Sequence, residues 1–135
     1  MSKWMQQNLN ALHEKILAHK ERAKLKDEAA VQRLVRRVLN KAGVFEFVPP
    51  AGVYSVVGIS DVLAVKNGLF IAIECKYKYN KPSENQLVFG RNVQKAGGYF
   101  CIINERNVVD EMIAVLIYAQ TGKDIRDELQ LARPV

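Results

Sequence analysis

Apolar residues recur along this chain with two different periods. Between residues 3 and 26, Trp4, Leu9, Leu12 and Ile16 fall at helical spacing among lysines and glutamines. That narrow stripe predicts a helix that packs on the domain or on a second subunit. Residues 28–40 carry a cleaner one, Val31, Leu34, Val35, Val38 and Leu39, with Asp27 and Glu28 at the end where negative charge suits the helix dipole. Gly43 stands just beyond as a stop, and Glu28 shares the inward edge of the stripe. Val44–Val48 reads as a strand halted by Pro49 and Pro50, with a glycine-containing loop after it.

The pattern then changes to strands. Asn67-Gly68 is a two-residue hairpin signal between SDVLAVK and LFIAIECKYK. Pro82 breaks the chain, Ser83-Glu-Asn-Gln86 is a capping box for a helix to Ala96, and Gly97-Gly98 ends that helix. Tyr99–Ile103 is a short apolar strand, and Asp110–Gln120 a closing helix that residues 123–132 extend beyond Gly122. The order is α, α, β, β, β, α, β, α. Strands apolar on both faces call for helices on both sides of the sheet, an α/β fold with a mixed central sheet.

The hairpin register carries the chemistry. With Asn67 and Gly68 as the turn, Lys66 faces Leu69, and the same register sets Asp61 opposite Glu74. Lys76, two residues on, points to the same face, flanked by Leu63, Phe70 and Ala72. Two like charges facing each other are costly. A hard divalent cation such as Mg²⁺, which accepts oxygen ligands and keeps several waters, would offset that cost. The competing reading is an Asp–Lys–Glu ion-pair network at a sheet edge, against which stands the apolar character of both strand faces.

Composition changes the picture in three places. The net charge is +6, and residues 1–41 alone hold ten Lys/Arg against four Asp/Glu. A second basic stretch follows Tyr79, so a phosphate-binding rim forms if the two regions meet; otherwise the lysines solvate a helix. Cys75 and Cys101 make no disulfide framework and read as buried strand residues, while His13 and His19 read as surface residues. The opening MSKWMQQNLN lacks an apolar signal region, and the apolar run Met112–Ala119 is too short to span a bilayer. A soluble cytoplasmic protein with reduced thiols and no membrane partner is expected.

Gly58-Ile-Ser-Asp61, then twelve residues, then Glu74-Cys-Lys76 resembles the PD-(D/E)XK nuclease signature. With the Glu28 helix, the Gln86 helix and the Gly97-Gly98 strand it is similar to the VRR-NUC branch, the virus-type replication-repair nucleases, from about Glu28 to Ile103. Cys75 departs from the usual aliphatic residue in the middle of that motif. The resemblance implies a PD-(D/E)XK core over residues 27–135 with an N-terminal helical extension over 1–26. It implies a Mg²⁺- or Mn²⁺-dependent endonuclease in which Asp61, Glu74 and the backbone carbonyl of Cys75 bind the metal and Glu28 completes the shell. Lys76 would be the catalytic lysine, and Gln86 would support the site or touch the scissile phosphate, a role that competes with simple capping of Ser83. Glu28 has a bland rival too, as an ordinary acid in a helix's first turn, and Glu14 and Glu21 are poorer candidates.

Lys78, Lys81, Arg91 and Lys95, with Tyr77 and Tyr79, are candidates for nucleic-acid contact or for a solvated strand end. The chain leaves no room for a separate recognition domain, so structure-selective cutting of branched DNA is expected. The resemblance points to a Holliday-junction resolvase or another replication, recombination or repair nuclease of a virus or phage, working as a homodimer in the host cytoplasm. Flap- or nick-directed cutting, non-specific cutting, and a binding protein that kept the fold without the activity are the alternatives.

Overall fold

The computed structural model describes residues 2–50 and 56–135, with Trp4 described through its backbone alone. The proposed Trp4 contact and the glycine-containing loop at residues 51–55 therefore lie outside the described residues. Helix α1 (Lys3–Ala23) is capped by Ser2, whose hydroxyl accepts from Met5 N–H at 3.1 Å. It stops short of residue 26 because Lys24 turns left-handed, with φ of 50°. Helix α2 (Glu28–Lys41) is capped by the Asp27 carboxylate, which accepts from Ala30 N–H at 2.8 Å. Its predicted stripe, Val31, Leu34, Val35, Val38 and Leu39, is buried throughout.

Four strands form one mixed sheet in the order β1-β2-β3-β4: β1 (Phe45–Phe47), β2 (Val62–Lys66), β3 (Leu69–Cys75) and β4 (Tyr99–Ile103). β1 pairs antiparallel with β2, β2 antiparallel with β3, and β3 parallel with β4. The hairpin register is the one the Asn67-Gly68 turn dictates, from Lys66 against Leu69 to Val62 against Ile73. The β3–β4 step needs a crossover, supplied by α3 (Glu84–Lys95). Helix α4 (Val108–Thr121) follows β4 and begins two residues earlier than its sequence pattern suggests.

Alternation along each strand sorts the side chains into two layers. Val62, Ala64, Ile71, Ile73, Cys75, Cys101 and Ile103 face the layer built by α1, α2 and α4. Leu63, Phe70, Ala72, Phe100 and Ile102 face α3. α1 joins the first layer through Leu9 and Ile16, packing against α4 and α2. α4 is enclosed nearly all round, from Val108 to Ala119 with only Asp110 exposed, because helices and sheet cover it from both sides. α3 lies close on β4, since a Cβ on Gly90 would come within 2.3 Å of the Phe100 ring.

Two expectations fail at the ends. Residues 123–132 do not continue α4. Gly122 takes a left-handed φ of 74° and Arg126 turns inward, donating from Nη1 to Phe100 O at 2.7 Å with its guanidinium 4.0 Å from the Tyr99 ring centroid. The segment runs as turns and coil instead, with Arg126 also held by Asp124. The strand expected over 44–48 is only three residues long and sits at the sheet edge with Phe45 and Phe47 exposed. No helix among the described residues is long and apolar enough to cross a membrane.

One buried charge in α4 makes stability depend on pH. Glu111 is buried, and its Oε2 has no hydrogen-bond partner among the described residues. Burial pushes its carboxyl up to about 7, with Arg126 pulling the other way and Asp110 and Asp124 adding to the rise. Its ordinary value is 4.5, so between 4.5 and about 7 the native chain keeps a proton that the unfolded chain has lost. Native stability from this group therefore falls as pH rises through that window. Glu111→Gln is expected to remove the fall, leaving the variant more stable than the wild type at pH 8, by on the order of 1–3 kcal/mol. Denaturant titrations of both proteins across this range test it; parallel pH curves would refute it.

Candidate active site

The site forms where β2 begins and β3 ends. Asp61 lies one residue outside the β2–β3 ladder. Instead of a further backbone pair, its Oδ2 accepts from Cys75 N–H at 2.7 Å. Strand alternation turns Asp61 and Glu74 to the α3 side, and the two carboxyl groups come to lie side by side. Glu74 is fully buried beneath α3. Its Oε1 accepts from Gln86 Nε2 at 2.9 Å and lies 3.6 Å from Lys76 Nζ. Among the described residues its Oε2 is buried with no hydrogen-bond partner, and Ser60 Oγ, next to Asp61, is buried without one as well.

That environment shifts the chemistry. Burial, then the adjacent Asp61, pushes the Glu74 carboxyl up to about 8, with Lys76 opposing. The Cys75 thiol is raised well above its usual range by burial and by Asp61, Glu74 and Glu28 around it. Burial and Glu111 do the same to Cys101. Both cysteines are therefore unreactive strand residues, as the sequence implies.

Gln86 combines the two roles that the sequence left open. Its Oε1 accepts from Ser83 N–H at 2.7 Å while Ser83 Oγ accepts from Gln86 N–H at 3.2 Å, a complete capping box. The amide end that capping leaves over is the one that holds Glu74. The approach of α3 depends on Gly58, where a Cβ would fall 2.2 Å from Asn85 O and 2.8 Å from Gln86 N. Gly58 thus does two things at once: it takes φ of 75° and lets the loop before Asp61 lie directly on the first turn of α3.

The remaining predicted residues divide. Glu28 opens α2 in the opposite layer and is half-buried; its charge acts on the Cys75 thiol in that layer, and no contact joins it to Asp61 or Glu74 among the described residues. Among the described residues no three His, Cys, Asp or Glu side chains gather as a metal cluster. Lys81 is exposed in the β3–α3 loop near the site. Arg91 is 3.7 Å from Glu84, and Lys95 ends α3 nine residues beyond Gln86, about 14 Å along the helix axis. The basic N-terminal third does not join these cations. Arg22, Arg33 and Arg37 line a groove of about 190 Å³ between α1 and α2, in the layer across the sheet from α3, so the condition for a shared rim, that the two basic regions meet, is not fulfilled by these residues. His13 is exposed as predicted. His19 is half-buried instead, its basicity lowered by burial and by Lys41, Arg22 and Arg37.

Sequence reasoning missed Glu105 and Arg106. Lys78 N–H donates to both Glu105 carboxylate oxygens, at 2.8 and 3.1 Å, and Arg106 Nη2 donates to Lys78 O at 2.9 Å. Nothing in local spacing marks them, because only the parallel β3–β4 pairing brings the turn after β4 beside the end of β3. No protein-family model matches this chain, and no curated protein matches it.

Gly58→Ala is expected to destabilise the fold by more than about 1 kcal/mol, because the clash is with backbone that cannot swing aside. Gly68→Ala supplies the control: its φ is 77°, but nothing lies within 4 Å of the added carbon. Equal losses for the two variants in denaturant unfolding would mean that Gly58 matters only for its backbone angle.

Proposed function

We propose that this chain is a metal-dependent DNA endonuclease with Asp61, Glu74 and Lys76 at its centre. The observation that carries the reading is the Glu74 carboxyl: buried and side by side with Asp61, with Lys76 and Gln86 on one oxygen and, among the described residues, no hydrogen-bond donor on the other. A purely structural ion-pair network would satisfy that second oxygen or leave it in water. The donor set fits a hard divalent cation, Mg²⁺ or Mn²⁺. Asp61, Glu74 and the Cys75 carbonyl would hold it, with Glu28 reaching it through water from the other layer.

Such an ion, when bound, supplies positive charge that favours a hydroxide nucleophile and neutralises the phosphate. The protein's own groups do the rest. The Cys75 N–H fixes the Asp61 carboxylate, and Gln86 fixes the rotamer of Glu74. Lys76 is only partly exposed, so its ammonium stands at the edge of the carboxyl pair, beside the buried Glu74. From there it stabilises charge developing at phosphorus as the water oxygen bonds to it and the 3′-oxygen leaves in line. The displaced proton passes to solvent at the open side of the site.

A site at the end of a small sheet, covered by α3, suits recognition of DNA shape, so branched or flapped DNA is the proposed target. Paired cuts in a four-way junction would require a symmetric homodimer.

The test is cleavage of labelled single strand, duplex, flap, fork and four-way junction with Mg²⁺ or Mn²⁺, against an EDTA control. Lys76→Ala is expected to lose at least about 100-fold in rate. Mn²⁺ is expected to raise the melting temperature of the wild type but not of Glu74→Ala. Absence of cutting on every substrate with either ion would refute the enzyme reading and leave a DNA-binding protein.

A further inference from the structure

Immediately after Lys76 the chain makes a tight turn that is built with unusual care. Asn80 N–H donates to Tyr77 O at 3.2 Å, closing it. Lys78 sits inside the turn at φ of 55°, a left-handed conformation that an L side chain adopts at a cost. Both backbone polar groups of that residue are held by the next turn of the fold, the N–H by the Glu105 carboxylate and the carbonyl by Arg106. The same Arg106 places its guanidinium 5.3 Å from the centroid of the Tyr79 ring. Lys78 sets its ammonium 5.5 Å from the Tyr77 ring, whose residue packs on the core. Yet Tyr79, the residue this clamping displays, is 83% exposed.

A floppy strand end would explain exposure but not the clamp. A purely structural clamp would bury the ring it holds. The combination is an exposed aromatic ring with the Arg106 guanidinium beside it, on a turn whose backbone is held at Lys78, while the Lys78 ammonium lies by the neighbouring Tyr77 ring. Aromatic rings presented in this way accept unpaired bases, because every base offers a π face, while neighbouring cations take the phosphates.

We propose that Tyr79 is a stacking platform for an unpaired nucleotide next to the scissile bond, with Lys78 and Arg106 receiving its phosphates. Tyr79 lies three residues beyond Lys76, so a strand stacked on it would enter the site with its backbone already positioned. Selectivity for flaps, forks or open junctions over continuous duplex then comes from this turn. A fully stacked duplex has no free base face to offer. The inference rests on the nuclease reading for its biological sense, but it can be tested without cleavage.

The experiment uses the full chain in EDTA, with Lys76→Ala as the background. The probes are a single-stranded oligonucleotide and a flap whose unpaired base is 2-aminopurine, compared with a blunt duplex of equal length. Binding is expected to quench the 2-aminopurine fluorescence of the unpaired probes. Tyr79→Ala should abolish the quench and weaken their binding about tenfold, while changing duplex binding less than twofold. Tyr79→Trp should restore both. Because Tyr79 is a surface residue, its melting temperature serves as the check on folding and should be unchanged. Unaltered quench and affinity in Tyr79→Ala, or equal losses on duplex and unpaired DNA, would overturn the proposal. Lys76-dependent cutting that ignores Tyr79 would sink the platform and spare the nuclease. Tyr79-dependent binding with no cutting by any variant would do the opposite.

Discussion

Two carboxyl groups side by side at the edge of a protein core repel each other, and one of these two is also denied water. The arrangement around Asp61 and Glu74 can be understood as the set of constraints that keeps them there. The Asp61 carboxylate replaces a rung of the β2–β3 ladder by accepting from Cys75 N–H, so it cannot swing away without leaving a backbone donor unpaired. Glu74 is roofed by α3, whose own seat is fixed at two glycines, by the loop at Gly58 and by the Phe100 ring under Gly90. The βαβ unit that carries α3 is thus both the crossover the parallel pair requires and the lid over the acidic group.

Those constraints have an electrostatic outcome. Without a cation, burial and Asp61 leave the pair holding a proton near neutrality, with Lys76 compensating in part. On the proposed reading, a divalent ion would displace that proton and bind at the oxygen left without a donor, so metal binding would be coupled to the loss of a proton. The thiols of β3 and β4, both buried in the opposite layer, stay protonated and take no part.

Much of this was legible in the chain. The period-two runs around Asn67-Gly68 set the register, and the register put Asp61 and Glu74 together. The α2 stripe and the Ser83–Gln86 box could be read directly, because capping and amphipathicity are local. What was illegible depended on distant contacts. Residues 123–132 look able to continue a helix, but they leave its path after Gly122, and Arg126 is held beside Phe100 and Tyr99, far away in sequence. The clamp from Glu105 and Arg106 on Lys78 spans 27 and 28 residues of sequence. The two basic regions are similar in composition, but the sheet stands between them. Which layer a helix joins is a property of the whole topology, and charge counts along the chain do not contain it.

Gln86 holds Ser83 with one end of its amide and Glu74 with the other, and this gives the first turn of α3 a second meaning. Helix ends usually fray at little cost to anything beyond themselves. Here unwinding that turn would free the buried carboxyl, and anything that tightens the carboxyl's grip would in turn rewind the helix. Ser83, an exposed serine with no reach to the reacting atoms, is therefore thermodynamically part of the site. The local opening of one surface turn and the affinity at a buried oxygen form a single equilibrium.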